Sequence, residues 1–410
     1  MQISWKRNFY TLWIAELIAI IGFHAIQPFL PYYIQEFEVK DLGETLIWAG
    51  HMGTAAGLAM AISSPFWGAL ADRLGRKPMV VRSMIGGGLT VIAMAYVTSV
   101  EQLLGVRVLQ GALAGTVTAC MTLVSTTTPS PHLSFALGLM QGAFMLGASV
   151  GPLIGGPFID RFGYHPCLIV AGLLVVLAGI AVQLWVKEDF QRQPKIGAQS
   201  SVWKDARRLL EIQSFFIMLV SLTLIQFIFG FIMPVVPLFL QELAHTDDVL
   251  SLAGLIFSIG GLVGALSSVL SSRWCEHWGA KKTLVWGLLA SAVFYLAQGL
   301  STSMAMLAVL MVCSGLATGA IRPVANTLIA RVVPESDRGK AFGVMSSANS
   351  LGWSLGPVMG GYVGAHWGFR SAFFVTTVLF VVVACWIWKV MQPSTGIGAG
   401  RVALDEEIER

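Results

Sequence analysis

Four ionisable residues stand where ionisable residues are costly. Glu16, His24, Arg107 and Arg322 each lie inside long apolar stretches, and charge within hydrocarbon is kept mainly where it carries or pairs with an ion. Glu16 and His24 share one stretch, Trp13-Ile-Ala-Glu16-Leu-Ile-Ala-Ile-Ile-Gly22-Phe-His24. On a helix they are about 12 Å apart along the axis and about 80° around it, so both can face one cavity. Arg107 opens Arg107-Val-Leu-Gln110-Gly111 in a later stretch of opposite direction, which puts it near the depth of His24. Carboxylate, imidazole and guanidinium so disposed form a candidate proton relay, with Glu16, His24 and Arg107 as the proton-coupling set. A cation entering the same cavity would compete with the proton for Glu16. The candidate substrate-binding set is Glu16, Gln27, Gln110, Gln141, Phe144, Gln226, Arg322 and Asn326, the sparse polar and aromatic groups of the apolar stretches. Arg322-Pro323 and Asn326 interrupt a stretch in the second half, and Arg322 has no counterpart at the matching place in the first half, Thr118.

Bond-making chemistry has no visible machinery. No G-x-x-x-x-G-K-[ST] cradle for a nucleotide is present. The five cysteines, Cys120, Cys167, Cys275, Cys313 and Cys385, are scattered without a C-x-x-C pair, and no His/Cys cluster has metal-ligand spacing. No cofactor, no metal and no enzymatic activity are expected.

The elements that must position these residues are transmembrane helices. The 410 residues are 55% hydrophobic and 12% charged, with a mean hydropathy of +0.73. Soluble domains carry about 25% charged residues, so lipid must replace water around most of the surface. Apolar runs of about 20 residues are expected at 9–31, 45–71, 78–97, 100–124, 135–158, 165–186, 213–240, 249–272, 282–300, 304–330, 340–363 and 369–391. The polar stretch Lys187 to Glu211 separates six from six. The expected organisation is a bundle over 1–190, a linker over 191–211, a second bundle over 212–392 and a tail over 393–410.

Basic residues orient the chain. Of 26 Lys and Arg, Lys40, Arg161 and Arg370 fall on one side, Arg107 and Arg322 within helices, and the remaining 21 on the other side. By the positive-inside rule both termini and the linker are cytoplasmic. The net charge of +4 is thus a topology signal and no nucleic-acid footprint.

The halves repeat at an offset of 204–205 residues. Gly138, Gly147, Gly151, Pro152, Gly155, Gly156 and Gly163 map onto Gly343, Gly352, Gly356, Pro357, Gly360, Gly361 and Gly368, and Asp72, Gly75 and Lys77 onto Glu276, Gly279 and Lys281. Two parallel six-helix repeats related by an axis along the membrane normal are an alternating-access architecture.

Between the second and third stretches lies Gly68-Ala-Leu-Ala-Asp72-Arg73-Leu-Gly75-Arg76-Lys77. This loop resembles the signature of the major facilitator superfamily, and the resemblance spans the chain. Arg107 and Gln110 resemble that family's second motif. Gly147, Gly151, Pro152, Gly155 and Gly156 resemble the motif of its proton-coupled antiporters. An acid in the first half of helix one is similar to the twelve-helix drug/proton antiporters, some of which carry an acid where this chain has His24. The resemblance implies an all-α membrane fold of twelve helices in two bundles. It also implies export of lipophilic or cationic small molecules against protons, and a latch formed by Gly68, Asp72, Arg73, Gly75, Arg76 and Lys77. The expected setting is a multi-pass, monomeric protein of the cytoplasmic membrane. The alternatives are a dedicated sugar or amino-acid-derivative transporter, or a lipid flippase of the same fold.

Overall fold

In a computed structural model, residues 5–190, 208–244, 248–332 and 338–390 are described. The expected linker lies outside them over 191–207, as does all of the tail 393–410, including Arg192, Lys195, Lys204, Arg207, Arg401 and Arg410.

Twelve helical rods follow one another, without a strand among the described residues. They are α1 (Trp5–Phe37), α2 (Leu42–Leu74), α3 (Lys77–Met94), α4 (Val100–Thr127), α5 (Ser130–Phe162) and α6 (Tyr164–Trp185). The second half adds α7 (Gln213–Ile232 with Val235–Leu243), α8 (Val249–Trp278), α9 (Ala280–Gly299), α10 (Met304–Gly319 with Ile321–Val332), α11 (Arg338–Trp367) and α12 (Phe369–Val390). Ten of these rods are long and apolar enough to cross a membrane by length and composition. The expected boundaries fall short at α2, α5 and α8, each of which continues several residues past its apolar core. Helical hydrogen bonding does not stop where hydrocarbon ends, and polar termini extend the rods into the headgroup zone.

Local signals start the rods. Ser99 and Ser303, equivalent in the repeat, begin α4 and α10 by accepting the amides of Gln102 and Met306, each at 3.3 Å. Asp41 caps α2 through the Glu44 amide at 2.8 Å. Such caps satisfy donors that the first turn leaves open.

Within the first half α3 packs on α6 and α1 on α5 and α6; within the second, α9 packs on α12 and α7 on α11. The outer face of α6 presents Leu173, Leu177, Ile180 and Leu184, all exposed. An apolar stripe of this spacing belongs against lipid.

Four rods are broken near mid-length, of which the sequence marked the one beside Arg322-Pro323 and not the other three. α1 breaks after His24, α4 at Ala114-Gly115, α7 at Met233-Pro234 and α10 at Ala320. These are the same two positions of the repeat in each half. At Gly115 the backbone takes φ +111, a region open to glycine without strain.

The basic end is where Lys6, Arg73, Arg76 and Lys77 lie. The two halves meet at the opposite end. There α2 seats on α11, with Gly50 against Val358 and Thr54 Oγ1 accepting the Val358 amide at 3.1 Å. α5 seats on α8, where Asp160 accepts both the amide and hydroxyl of Ser251, at 2.7 and 2.5 Å, and Ser258 donates to the Ser149 carbonyl. Tyr32 donates to the Pro237 carbonyl, and Gln35 and Gln241 exchange hydrogen bonds at 2.9 and 3.1 Å. Toward the basic end this seam stops: Gly57 touches Ser354, while Ile62, Phe66, Leu266 and Val269 beyond are exposed. The halves therefore form a clamp closed opposite the basic end and parted at it.

Candidate functional site

α1 carries Glu16 and His24 on the segment before its break, and the two residues meet different surroundings. Leu12, Ala15 and Ala19 pack with Cys120 and Leu123 of α4 and Met140 of α5. Glu16 lies among them at 0% exposure, and neither carboxylate oxygen has a hydrogen-bond partner. Trp13 pins this face of α1 by donating to the Leu139 carbonyl at 3.0 Å. Nothing in this pocket would stabilise an anion, and removing an unpaired carboxylate from water is costly. In this conformation Glu16 opens into no cavity, so it does not share one with His24.

His24 is half-buried at the break itself. Its Nδ1 is 3.1 Å from the Ile20 carbonyl, and its ring stands edge-on to Phe144 at 6.0 Å between centroids. The glycines of α5 create this seat. A methyl on Gly147 would come within 2.8 Å of the Ile20 side chain, and one on Gly151 within 2.8 Å of His24 Cβ. Gly155 lies against the Ala25 carbonyl, while Gly156 and Pro152 face Leu250 and Gly254 of α8. The five-residue motif thus holds the break of α1 on one face and the other half of the molecule on the next. Small residues permit such close backbone approach. The second half repeats this arrangement: Gly352, Gly356 and Gly360 seat on Thr223, Phe227 and Phe231 of α7, and Gly361 on Leu46 of α2.

Arg107 donates to Gln110 within its own helix, and its Nε is buried without a partner. With Gln27, Pro28, Met233, Pro234 and Pro357 it borders a cavity of about 40 Å³, room for a water rather than a drug-sized molecule. No hydrogen bond joins Arg107 to His24 among the described residues, so the three-residue relay is not assembled in this state. Gln141 is exposed on α5.

Arg322 follows the break of α10 and is accessible to solvent within its span. Its Nε donates to Gln226 of α7 at 3.0 Å, and Asn326 is exposed one turn further along. Among the described residues no carboxylate meets Arg322. The substrate-binding set is therefore divided: Glu16 is enclosed in one half, Gln27 and Gln110 cluster at Arg107, and Gln226, Arg322 and Asn326 cluster in the other half.

In the signature loop, Gly68, Asp72 and Arg73 are exposed, and a methyl on Gly68 would meet nothing within 4 Å. Gly75 makes the turn at φ +97. The amides of Arg76 and Lys77 then both donate to the Glu188 carboxylate, at 2.9 and 2.8 Å. Lys77 Nζ reaches the Gln183 carbonyl at 2.8 Å. Glu188 escaped the sequence reading because it is one of several acids in a polar stretch. Its only signal was closeness to the end of the sixth apolar run.

Arg82 is one of the 21 basic residues counted on a single side. It lies inside α3, stacked on Trp67 of α2 at 3.8 Å, and donates to the Ala114 carbonyl at 3.2 Å. Trp67 donates to the Ala112 carbonyl at 2.7 Å. Together they satisfy carbonyls freed by the break in α4, which an apolar surrounding would otherwise leave unpaired.

The comparisons with known proteins agree with this architecture. The sequence profile of the Major Facilitator Superfamily matches residues 12–273 and 218–403. The Multidrug resistance protein MdtG of Escherichia fergusonii is 31% identical over 94% of this chain and 95% of its own. The protein of the same name from Proteus mirabilis is 30% identical over 94% and 96%. Among solved structures, the nucleoside transporter NupG matches with a TM-score of 0.76 at 15% identity, over 94% of this chain and 100% of its own. The human organic anion transporter MFSD10 matches with a TM-score of 0.69 at 18% identity, over 94% and 100%. Repeated halves, the signature loop at Asp72 and the profile match lead to one conclusion: this chain belongs to the Major Facilitator Superfamily, as a membrane transporter and not an enzyme.

Proposed function

We propose that this protein is a multidrug efflux transporter that exports lipophilic small molecules in exchange for protons by alternating access. Its basic end lies in the cytoplasm, so the described clamp is the inward-open state. The relatives named multidrug resistance proteins support the efflux reading. The observation that carries the coupling mechanism is Glu16, fully enclosed and without a hydrogen-bond partner.

A carboxylate in such a pocket is at ease only when neutral. For it to release a proton, the core of the first half must open to water or bring a donor to it. The mechanism therefore ties proton release to a rearrangement of α1 against α4 and α5, hinged at the break after His24. Two arrangements of one element, biased by proton at one place and cargo at another, suffice for coupling.

Cargo binds elsewhere. In the open clamp the accessible polar groups of the second half include Arg322 and Asn326, with Gln226 half-buried beside them. A guanidinium whose remaining N–H donors have no partner among the described residues suits a cargo bearing an acidic or acceptor group. Competition between a cation and the proton at Glu16 would need that pocket to open first, whereas an acceptor-bearing cargo can meet Arg322 in the clamp as it stands.

The test is transport in proteoliposomes of defined orientation. Export of lipophilic acids should follow an imposed pH gradient and acidify the compartment that receives protons. Export that proceeds equally after the gradient is collapsed would reject proton coupling. A drug panel in an efflux-deficient host that shows no protection would reject efflux altogether.

A further inference from the structure

One concavity lies away from the central clamp. A pocket of about 350 Å³ sits over the turn joining α8 to α9 at the basic end, lined by His277, Trp278, Lys282 and Trp286. We propose that it binds the headgroup of an anionic phospholipid of the surrounding membrane. The proposal rests on this end lying at a membrane surface, and not on the cargo or the coupling.

Three features lead there. The first is depth: Lys282 and Trp286 stand one turn apart on α9, so Trp286 lies about 6 Å further along the axis, toward the apolar body of the helix. A cation at the rim with an indole beneath it matches a phosphate above a glycerol and the start of its acyl chains. The second is charge. The lining holds Lys282 and a histidine and no carboxylate. The side chains of His277, Trp278, Lys282 and Trp286 have no hydrogen-bond partner among the described residues. Lys281 next door is engaged instead, donating to the Trp388 carbonyl at 2.9 Å and lying over its ring. The third is the repeat. Lys281 and Trp388 match Lys77 and Gln183 of the first half, where the same tether recurs. The pocket residues do not recur: Trp278, Lys282 and Trp286 correspond to Leu74, Pro78 and Arg82. The fold therefore builds this turn without the two tryptophans, which here are 54% and 61% exposed.

The experiment uses the purified full-length protein in detergent, titrated with phosphatidylglycerol, phosphatidylethanolamine or phosphatidylcholine and read by native mass spectrometry. Phosphatidylglycerol should bind tightest to the wild type, and inorganic phosphate alone should not compete at similar concentration. Lys282→Ala should weaken phosphatidylglycerol binding about fivefold, matching one lysine beside an anionic surface. His277→Ala/Lys282→Ala should bring it to the level of phosphatidylcholine, while Lys282→Arg should retain the preference. Trp286→Leu should weaken all three lipids together. Equal affinity for the three lipids in the wild type would overturn the proposal. So would an undiminished preference in the double variant, provided that its unfolding temperature matches the wild type. Residues 393–410 include Asp405, Glu406 and Glu407. Phosphatidylglycerol binding that appears only once this tail is removed would also overturn the proposal, identifying the chain's own acidic segment as the occupant.

Discussion

The two halves share a scaffold and treat their interior charges in opposite ways. In both, the first and fourth rods break at equivalent places, glycines of α5 or α11 seat the broken neighbour, and a lysine tethers the basic-end turn. The first half encloses Glu16 completely and folds Arg82 onto Trp67. The second half leaves Arg322 accessible, held at one nitrogen by Gln226. Features common to both halves are needed to build and move the clamp. On the proposed mechanism, features confined to one half are where proton and cargo can be told apart.

The largest effect is expected from the enclosed acid. Glu16→Gln removes the ionisable group at nearly constant volume, and should lower gradient-driven export at least about a hundredfold while leaving cargo binding intact. Proton release on cargo addition, measured with a pH dye on the purified protein, should vanish. Release of wild-type size from the variant would place the proton elsewhere, with His24 next in line.

The accessible cation comes second. Arg322→Ala should weaken binding of acidic cargo by about tenfold to a hundredfold, the worth of a charged hydrogen bond, and Arg322→Lys should recover part of it. Thr118→Ala, at the matching place in the first half, should change affinity less than about twofold. Equal losses at the two positions, measured by calorimetry or scintillation proximity, would erase the division of labour between halves.

A stability contrast tests the seating glycines. Gly151→Ala places a methyl 2.8 Å from His24 Cβ and should cost about 1–3 kcal/mol through overpacking. Gly138→Ala, on the same rod with nothing within 4 Å, should stay within about 0.5 kcal/mol of wild type. Thermal unfolding in detergent distinguishes the two, and similar shifts would show that α5 does not hold the break of α1.

The smallest effect concerns the signature loop. Asp72 is exposed in this open state, with no hydrogen bond among the described residues, whereas Glu188 already holds the amides of Arg76 and Lys77. We expect Asp72→Asn to slow export about threefold and to raise labelling of a cysteine placed at Ile62, because the closed state loses its latch. Unchanged labelling and export would leave Glu188 as the sole organiser of the loop.

The sequence by itself determined the twelve helices, the repeat, the basic asymmetry and the family, because each is written in composition, spacing or local motif. Hydrophobic length dictates which segments leave water, and a glycine needed for close approach is needed wherever the neighbour lies. It also singled out Glu16, His24, Arg107 and Arg322, since scarcity of charge in an apolar run is visible without any structure. Only the tertiary structure decided which of these charges face water. Helical spacing allows Glu16 and His24 to share a cavity, yet the seating of α1 on α4 and α5 encloses one and leaves the other half-exposed. The breaks in α1, α4 and α7 were hidden, whereas Arg322-Pro323 marked the one in α10; at α4 the freed carbonyls are satisfied by the distant partners Arg82 and Trp67. Glu188 too acquires its role from a turn about 110 residues away in the chain. A side chain's charge is local information, whereas its solvent and its partners are set by what the fold brings around it.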